Sequence, residues 1–195
     1  MPTAPPLILA STSPYRRALL LRLGLPFQTA APGVPESHLP GEAPGERARR
    51  LALAKARAVA AGAPQAAVIG SDQVAVSGAT VLDKPGDAER CRAQLRALSG
   101  NAARFLTAVA VVCPARGFLE EFTDVTVVQF RALSDAEIDR YVERDRPWDC
   151  AGGFRSETLG VTLFERIDSS DPTGLIGLPL IRLAAALRAL GCALP

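Results

Sequence analysis

Aromatic residues make up only 5% of this 195-residue chain, and histidine occurs once, at His38. Four cysteines, Cys91, Cys113, Cys150 and Cys192, are scattered without a CxxC pair. That scarcity argues against Cys/His zinc sites, a histidine-based triad and a disulfide framework. Long hydrophobic runs are missing as well. The most apolar segment, around Leu175–Leu190, is broken by Gly177, Pro179, Arg182 and Arg188. It falls short of the ~20 apolar residues of a membrane span. The start Met1-Pro2-Thr3-Ala4-Pro5-Pro6 lacks the basic and apolar parts of a secretory leader, so the expected location is cytoplasmic. Nor is there an excess of one charge: 22 basic residues against 20 acidic ones leave +2. Without a basic field, neither nucleic acid nor a membrane surface is an expected partner.

What is present is a large apolar fraction, 48%, on a chain long enough to build a core without staples. A single domain over 1–195 is expected, or at most two intimate lobes. Leu7–Ala10 reads as a strand. The next segment reads as a helix with Ser13 as N-cap, Pro14 in its first position and Gly24 at its end. The Pro/Gly-rich stretch Pro32–Gly45 is a loop, Glu46–Ala61 a long helix closed by Gly62, and Ala67–Gly70 a buried strand. Asp87 caps a helix whose stripe is Ala88, Cys91, Leu95 and Leu98. Strands follow near Phe105–Val112 and Phe118–Phe130, with a turn from Pro114 to Gly117. Ser134 and Glu137 form a capping box, Arg146–Gly153 is a loop, Val161–Phe164 a strand and Leu178–Leu190 the last helix. Alternating elements with an antiparallel middle predict a mixed α/β fold.

Four groups of residues could carry chemistry. Ser11-Thr12-Ser13-Pro14-Tyr15-Arg16-Arg17 gathers hydroxyls and guanidinium groups where a strand enters a helix. Such a place either holds an anion such as a triphosphate or is an ordinary capped helix. Lys55 follows Leu51 and precedes Val59 by one turn, on a line otherwise facing the core. It must snorkel outward or meet an anion. Gly70-Ser71-Asp72-Gln73 follows an apolar strand, and Asp72 is either a turn aspartate or a site carboxylate that activates water or binds metal. The loop Trp148-Asp149-Cys150-Ala151-Gly152-Gly153-Phe154-Arg155-Ser156-Glu157 has the composition of a base-recognition segment or of a packed turn. Taken locally, Lys84-Pro85 marks a turn, and Glu36 is an acid in a solvated loop.

Taken in order, several runs resemble the Maf family of nucleoside triphosphate pyrophosphatases across nearly the whole chain. They are Leu7–Leu20, Arg50-Leu51-Ala52 with Lys55-Ala56, Gly70–Gln73, Lys84-Pro85, Ser99-Gly100, Cys150-Ala151-Gly152, Ser156-Glu157 and Gly177–Leu180. The Ser-Asp-Gln form, the aromatic residue before the arginine pair and the Cys-Ala-Gly…Ser-Glu segment are similar to the 7-methyl-GTP subgroup. Tyr15 stands where that subgroup has tryptophan, Gly153 where it has serine, and Ala54 where an acid or amide is frequent.

The resemblance implies an elongated twisted sheet flanked by helices around a central nucleotide-binding cleft. It further implies hydrolysis between the α- and β-phosphates. Asp72 would be the proton acceptor, a metal ligand or both. Tyr15, Gln73 and Glu157 would sit at positions of substrate choice. Ser11, Ser13, Arg16, Lys55 and Lys84 would hold phosphates. A divalent cation, Mg or Mn, would use Asp72 and Glu36. The expected partner is a nucleotide substrate, and a homodimer is compatible with the pattern. Two rivals are a pyrophosphatase for other canonical or damaged triphosphates and a non-catalytic nucleotide-binding regulator of cell division.

Overall fold

The computed structural model describes residues 4–195, so the reading of residues 1–3 lies outside it. Among the described residues, seven strands and five α-helices form a mixed α/β arrangement on one open, twisted sheet. The strand order is β2-β1-β3-β5-β6-β7, with β4 paired to β3. Its strands are β1 (Leu7–Leu9), β2 (Phe27–Thr29), β3 (Ala67–Ser77), β4 (Thr80–Leu82), β5 (Ala102–Cys113), β6 (Phe118–Phe130) and β7 (Phe164–Asp168). The chain divides into two compact units. The first holds residues up to Gln73, Thr107–Asp124 and Asp171–Pro195; the second holds Val74–Leu106 and Val125–Ser170. No described helix is long and apolar enough to cross a membrane.

In the first unit, β1 lies parallel to both β2 and β3, pairing Leu7 with Phe27 and with Ala67. The helices here are α1 (Pro14–Leu21), α2 (Pro44–Ala60) and α5 (Leu180–Ala189). Leu9, Leu19, Leu20, Ile69, Val111, Leu178, Leu183 and Leu187 form the centre of its core. Ser13 caps α1 by accepting from Arg16 N, and Gly24 takes the left-handed backbone (φ 68°) just beyond the helix end. α5 starts after Pro179, which has no capping side chain. Its first amides are instead taken by earlier residues: Asp171 Oδ2 accepts from Ile181 N at 2.6 Å and Thr173 Oγ1 from Leu180 N at 2.8 Å. That non-local capping folds residues 171–181 into a tight knot.

The second unit contains α3 (Ala88–Leu98) and α4 (Asp135–Asp145). Cys91, Leu95 and Leu98 are buried along α3, as its apolar stripe predicts. β4 runs antiparallel to the end of β3, and β7 antiparallel to the end of β6. Phe105, Phe130, Phe154 and Phe164 pack edge to face, with ring centroids 5.0–5.4 Å apart. α4 opens on the expected capping box: Ser134 N donates to Glu137 Oε2 at 2.9 Å while Ser134 Oγ accepts from Glu137 N. The Ser134 amide, then the Ser134 hydroxyl donating to Glu137 Oε2 at 2.8 Å, and then Arg131 depress the Glu137 carboxyl from 4.5 to about 2. A depressed carboxyl contributes stability that is complete above its unfolded pKa and lost as pH falls through the folded one. Glu137→Gln should therefore reduce the decline of the urea midpoint between pH 4.5 and about 2.

Three local readings differ from the structure. β2 and β4 are three-residue strands without alternation strong enough to mark them. Residues Leu159–Leu163 form a 3-10 turn, closed by Thr162 Oγ1 donating to Leu159 O, and the strand read at Val161–Phe164 begins only at Phe164. β3 does not stop at Gly70. It continues because each polar side chain of Ser71-Asp72-Gln73 finds a partner, which removes the cost of carrying polar groups through a buried strand.

Candidate active site

The site grows from the alternation of β3, whose successive side chains point to opposite faces. Gly70 and Asp72 share the face toward α2. A Cβ on Gly70 would lie 2.2 Å from Ala52 O and 2.7 Å from Ala56 N, so only glycine lets the helix backbone come this close. That approach brings Lys55, buried on α2, onto Asp72: Nζ lies 2.7 Å from Asp72 Oδ1 and 2.7 Å from Glu36 Oε1. Lys55 does not snorkel. Its side chain is 6% exposed and that of Asp72 10%, so the ammonium and carboxylate have little water and depend on each other. Glu36 reaches the pair from the Pro/Gly loop with a side chain that is 57% exposed.

Ser71 and Gln73 occupy the opposite face and hold the knot before α5. Ser71 Oγ donates to Gly177 O at 3.0 Å, and Gln73 Nε2 donates to Leu175 O at 3.0 Å and Thr107 Oγ1 at 2.8 Å. Thr107 Oγ1 in turn donates to Gly174 O at 2.9 Å. Arg16 joins the same knot through Nε, 3.0 Å from Gly177 O. Burial lowers the Arg16 pKa, while the charges of Asp72 and Glu36 pull it back up. A guanidinium drawn toward two carboxylates, yet anchored by a backbone carbonyl, is a pre-placed positive charge. Ser13 Oγ accepts from Arg16 N at 3.3 Å and Ser11 Oγ from Ser13 N at 3.1 Å, so both hydroxyls first serve the helix start. Tyr15 occupies the second position of α1, half-buried.

Arg16, Lys55, Asp72 and Glu36 therefore come together in the first unit, with Ser11, Ser13, Tyr15 and Gln73 in that same unit. Lys84 and Glu157 belong to the second unit, and both are exposed. Lys84 sits in the turn after β4, where Gly86 N donates to Trp148 O at 2.9 Å. The segment with Glu157 is tied to α4: Arg155 N donates to Tyr141 Oη at 3.0 Å and Thr158 Oγ1 to Asp145 Oδ2 at 2.8 Å. Burial, followed by the bond to Asp145, raises the Tyr141 pKa far above its ordinary value. Gly153, where the resemblance has serine, is left-handed (φ 71°), and a Cβ there would lie 3.0 Å from Cys91 Sγ. The glycine fits the space that Cys91 leaves.

Sequence reading placed Ser71 in the Gly70–Gln73 run without giving it a role, and it missed Thr107 and the carbonyls of 174–177. The only sequence signal for them was the Gly177–Leu180 run, which carries no polar side chain. Among the described residues no three His, Cys, Asp or Glu side chains gather as a metal cluster. Asp72 and Glu36 do converge on a single cationic nitrogen, and paired carboxylate oxygens are the donors a hard divalent ion takes when substrate phosphates supply the rest.

A family profile described as "Maf-like protein" matches residues 6–190. The chain is 55% identical over 193 residues to a 7-methyl-GTP pyrophosphatase of Polaromonas sp., covering 99% of this chain and 88% of that protein. It is 53% identical over 191 residues to a protein of the same name from Xanthomonas axonopodis pv. citri, covering 98% and 100%. A third such pyrophosphatase, from Albidiferax ferrireducens, is 52% identical over 185 residues, covering 95% and 93%.

Proposed function

Because this chain belongs to the Maf-like protein family, we propose that it is a hydrolase of acid anhydrides, a pyrophosphatase cleaving 7-methyl-GTP between its α- and β-phosphates in the cytoplasm. The products are the nucleoside monophosphate and pyrophosphate. The observation that carries the reading is the buried Lys55 ammonium held between Asp72 and Glu36, with the Arg16 charge drawn to the same two carboxylates. Its relatives in Polaromonas, Albidiferax and Xanthomonas, each named a 7-methyl-GTP pyrophosphatase, support the same chemistry.

In this reading Asp72 takes the proton of the attacking water, because it is the one carboxylate fixed on the rigid strand. Lys55, Arg16 and Lys84 meet the negative charge that moves onto the leaving pyrophosphate. The Ser11 and Ser13 hydroxyls, which accept from Ser13 N and Arg16 N, keep their own O–H groups to donate to the phosphates. Asp72 and Glu36 would hold a divalent cation, Mg or Mn, which supplies charge neutralisation at the phosphates when bound. A purely regulatory nucleotide binder has no use for two carboxylates beside phosphates, which they would repel.

Choice of base falls to Tyr15 and Glu157, while Gln73 acts by holding the 174–175 carbonyls. Methylation at N7 leaves guanine with a delocalised positive charge, which favours an aromatic face and a carboxylate. A panel of nucleoside triphosphates, with and without methylated bases and Mg²⁺ or Mn²⁺, assayed for pyrophosphate release, tests the whole proposal. Metal-dependent release fastest with 7-methyl-GTP is expected; absence of release from every triphosphate would sink it. Glu157→Gln should lose the preference for the methylated base more than it loses rate on other nucleotides. Equal losses on GTP and 7-methyl-GTP would remove Glu157 from base selection.

A further inference from the structure

Glu36 lies in the stretch 31–43, which has neither helix nor strand. A Pro/Gly-rich segment of this kind has few backbone bonds of its own, and the Glu36 side chain that meets the buried Lys55 is itself 57% exposed. Yet α2 grips the segment on both sides of Glu36. The Arg50 guanidinium meets the Glu42 carboxylate at two points, Nε to Oε1 at 2.5 Å and NH2 to Oε2 at 2.7 Å. Arg50 NH2 also donates to Ser37 O at 3.1 Å, and Arg47 NH2 to Glu36 O at 3.3 Å. Glu42 is no ordinary surface acid: its side chain is 8% exposed, and its second oxygen also accepts from Leu39 N at 3.4 Å. Arg50 stands on the same helix as Lys55, so the element that places the ammonium also places the loop bringing the carboxylate to it.

We propose that the Glu42–Arg50 pair is a positioning clamp that sets Glu36 against Lys55, a role resting on the reading of Glu36, Lys55 and Asp72 as active-site groups. The two-point fork is the essential feature. A lysine at position 50 keeps the charge but cannot span both carboxylate oxygens and the Ser37 carbonyl in one plane. Arg50 bonds to Glu42 and to Ser37 O, next to Glu36, and its charge also acts on Asp72; Arg50→Lys keeps that charge and removes only the fork.

The test is a double-mutant cycle on full-length protein, with Glu42→Gln and Arg50→Lys each made in the native chain and in Glu36→Gln. Pyrophosphate release and thermal midpoint are read for every variant, and hydrogen exchange of amides 36–43 is followed without added metal. Glu36→Gln should lower kcat about a hundredfold. Each clamp variant should lower kcat about tenfold in the native chain, with KM for the nucleotide little changed. In the Glu36→Gln background each should cost less than about twofold. Exchange across 36–43 should quicken in both clamp variants. A Glu36→Gln protein with normal turnover overturns both the active-site reading and the clamp. An impaired Glu36→Gln protein combined with clamp variants that are fully active, or that lose as much in either background, overturns the clamp alone.

Discussion

Asp72→Asn is expected to lower pyrophosphate release roughly a thousandfold, within the range of 10²–10⁴ that a positioned acid or base supplies. Asparagine keeps the shape and can still accept from Lys55 Nζ, now 2.7 Å from Asp72 Oδ1. It loses the negative charge that takes a proton. The fold should survive, because Lys55 keeps a second carboxylate in Glu36 and is not left as an orphaned buried cation. Weakening one charge-assisted hydrogen bond costs about 1.5–3 kcal/mol, which for a chain of this size is a fall in Tm of about 3–12 °C. Turnover and a thermal melt on the same preparation check both parts. Near-native, metal-dependent turnover would remove Asp72 from the mechanism.

Gly70→Ala should have the largest effect on stability. The added methyl would press on Ala52 O and Ala56 N, both backbone atoms of α2 that cannot rotate away, and on Ala56 Cβ at 3.0 Å. Relief requires the helix to move off β3. The cost is expected at about 3 kcal/mol or more, the upper end for overpacking, equivalent to roughly 6–12 °C in Tm. The same displacement draws Lys55 from Asp72, so turnover should fall with stability even at temperatures where the variant is folded. Gly62→Ala is the control. It adds a methyl whose nearest neighbour is Val59 O at 3.8 Å, an ordinary contact, and should leave turnover and Tm near native. A Gly70→Ala protein with native Tm and rate would show that the close approach of α2 is dispensable.

How far the sequence could be read follows from the range of each interaction. Ser13, Asp87 and Ser134 announced their helices because a cap bonds an amide three residues away. The α3 stripe was legible for a similar reason: Cys91, Leu95 and Leu98 repeat at the helical period. β2 and β4, three residues each, exist because a neighbouring strand offers a ladder, which no pattern inside such short segments can reveal. Asp72 stood out as a polar residue on an apolar strand, and Lys55 as a charge on a core-facing line. Whether each would turn to solvent or to the other depended on Gly70, 15 residues along the chain from Lys55, admitting the helix backbone.

By itself the sequence determined the class of fold, the ends of the longer helices and the small set of carboxylates, lysines and arginines from which any chemistry here must be built. The tertiary structure alone decided which of these meet. It set Lys55 between Asp72 and Glu36, and it turned Ser71 and Gln73 toward carbonyls more than 100 residues away, at 3.0 Å from Gly177 O and Leu175 O. The reason is physical: caps and periodicities act within a turn or two of the chain. The pairing of a buried charge is chosen by whichever distant groups packing brings within hydrogen-bond reach.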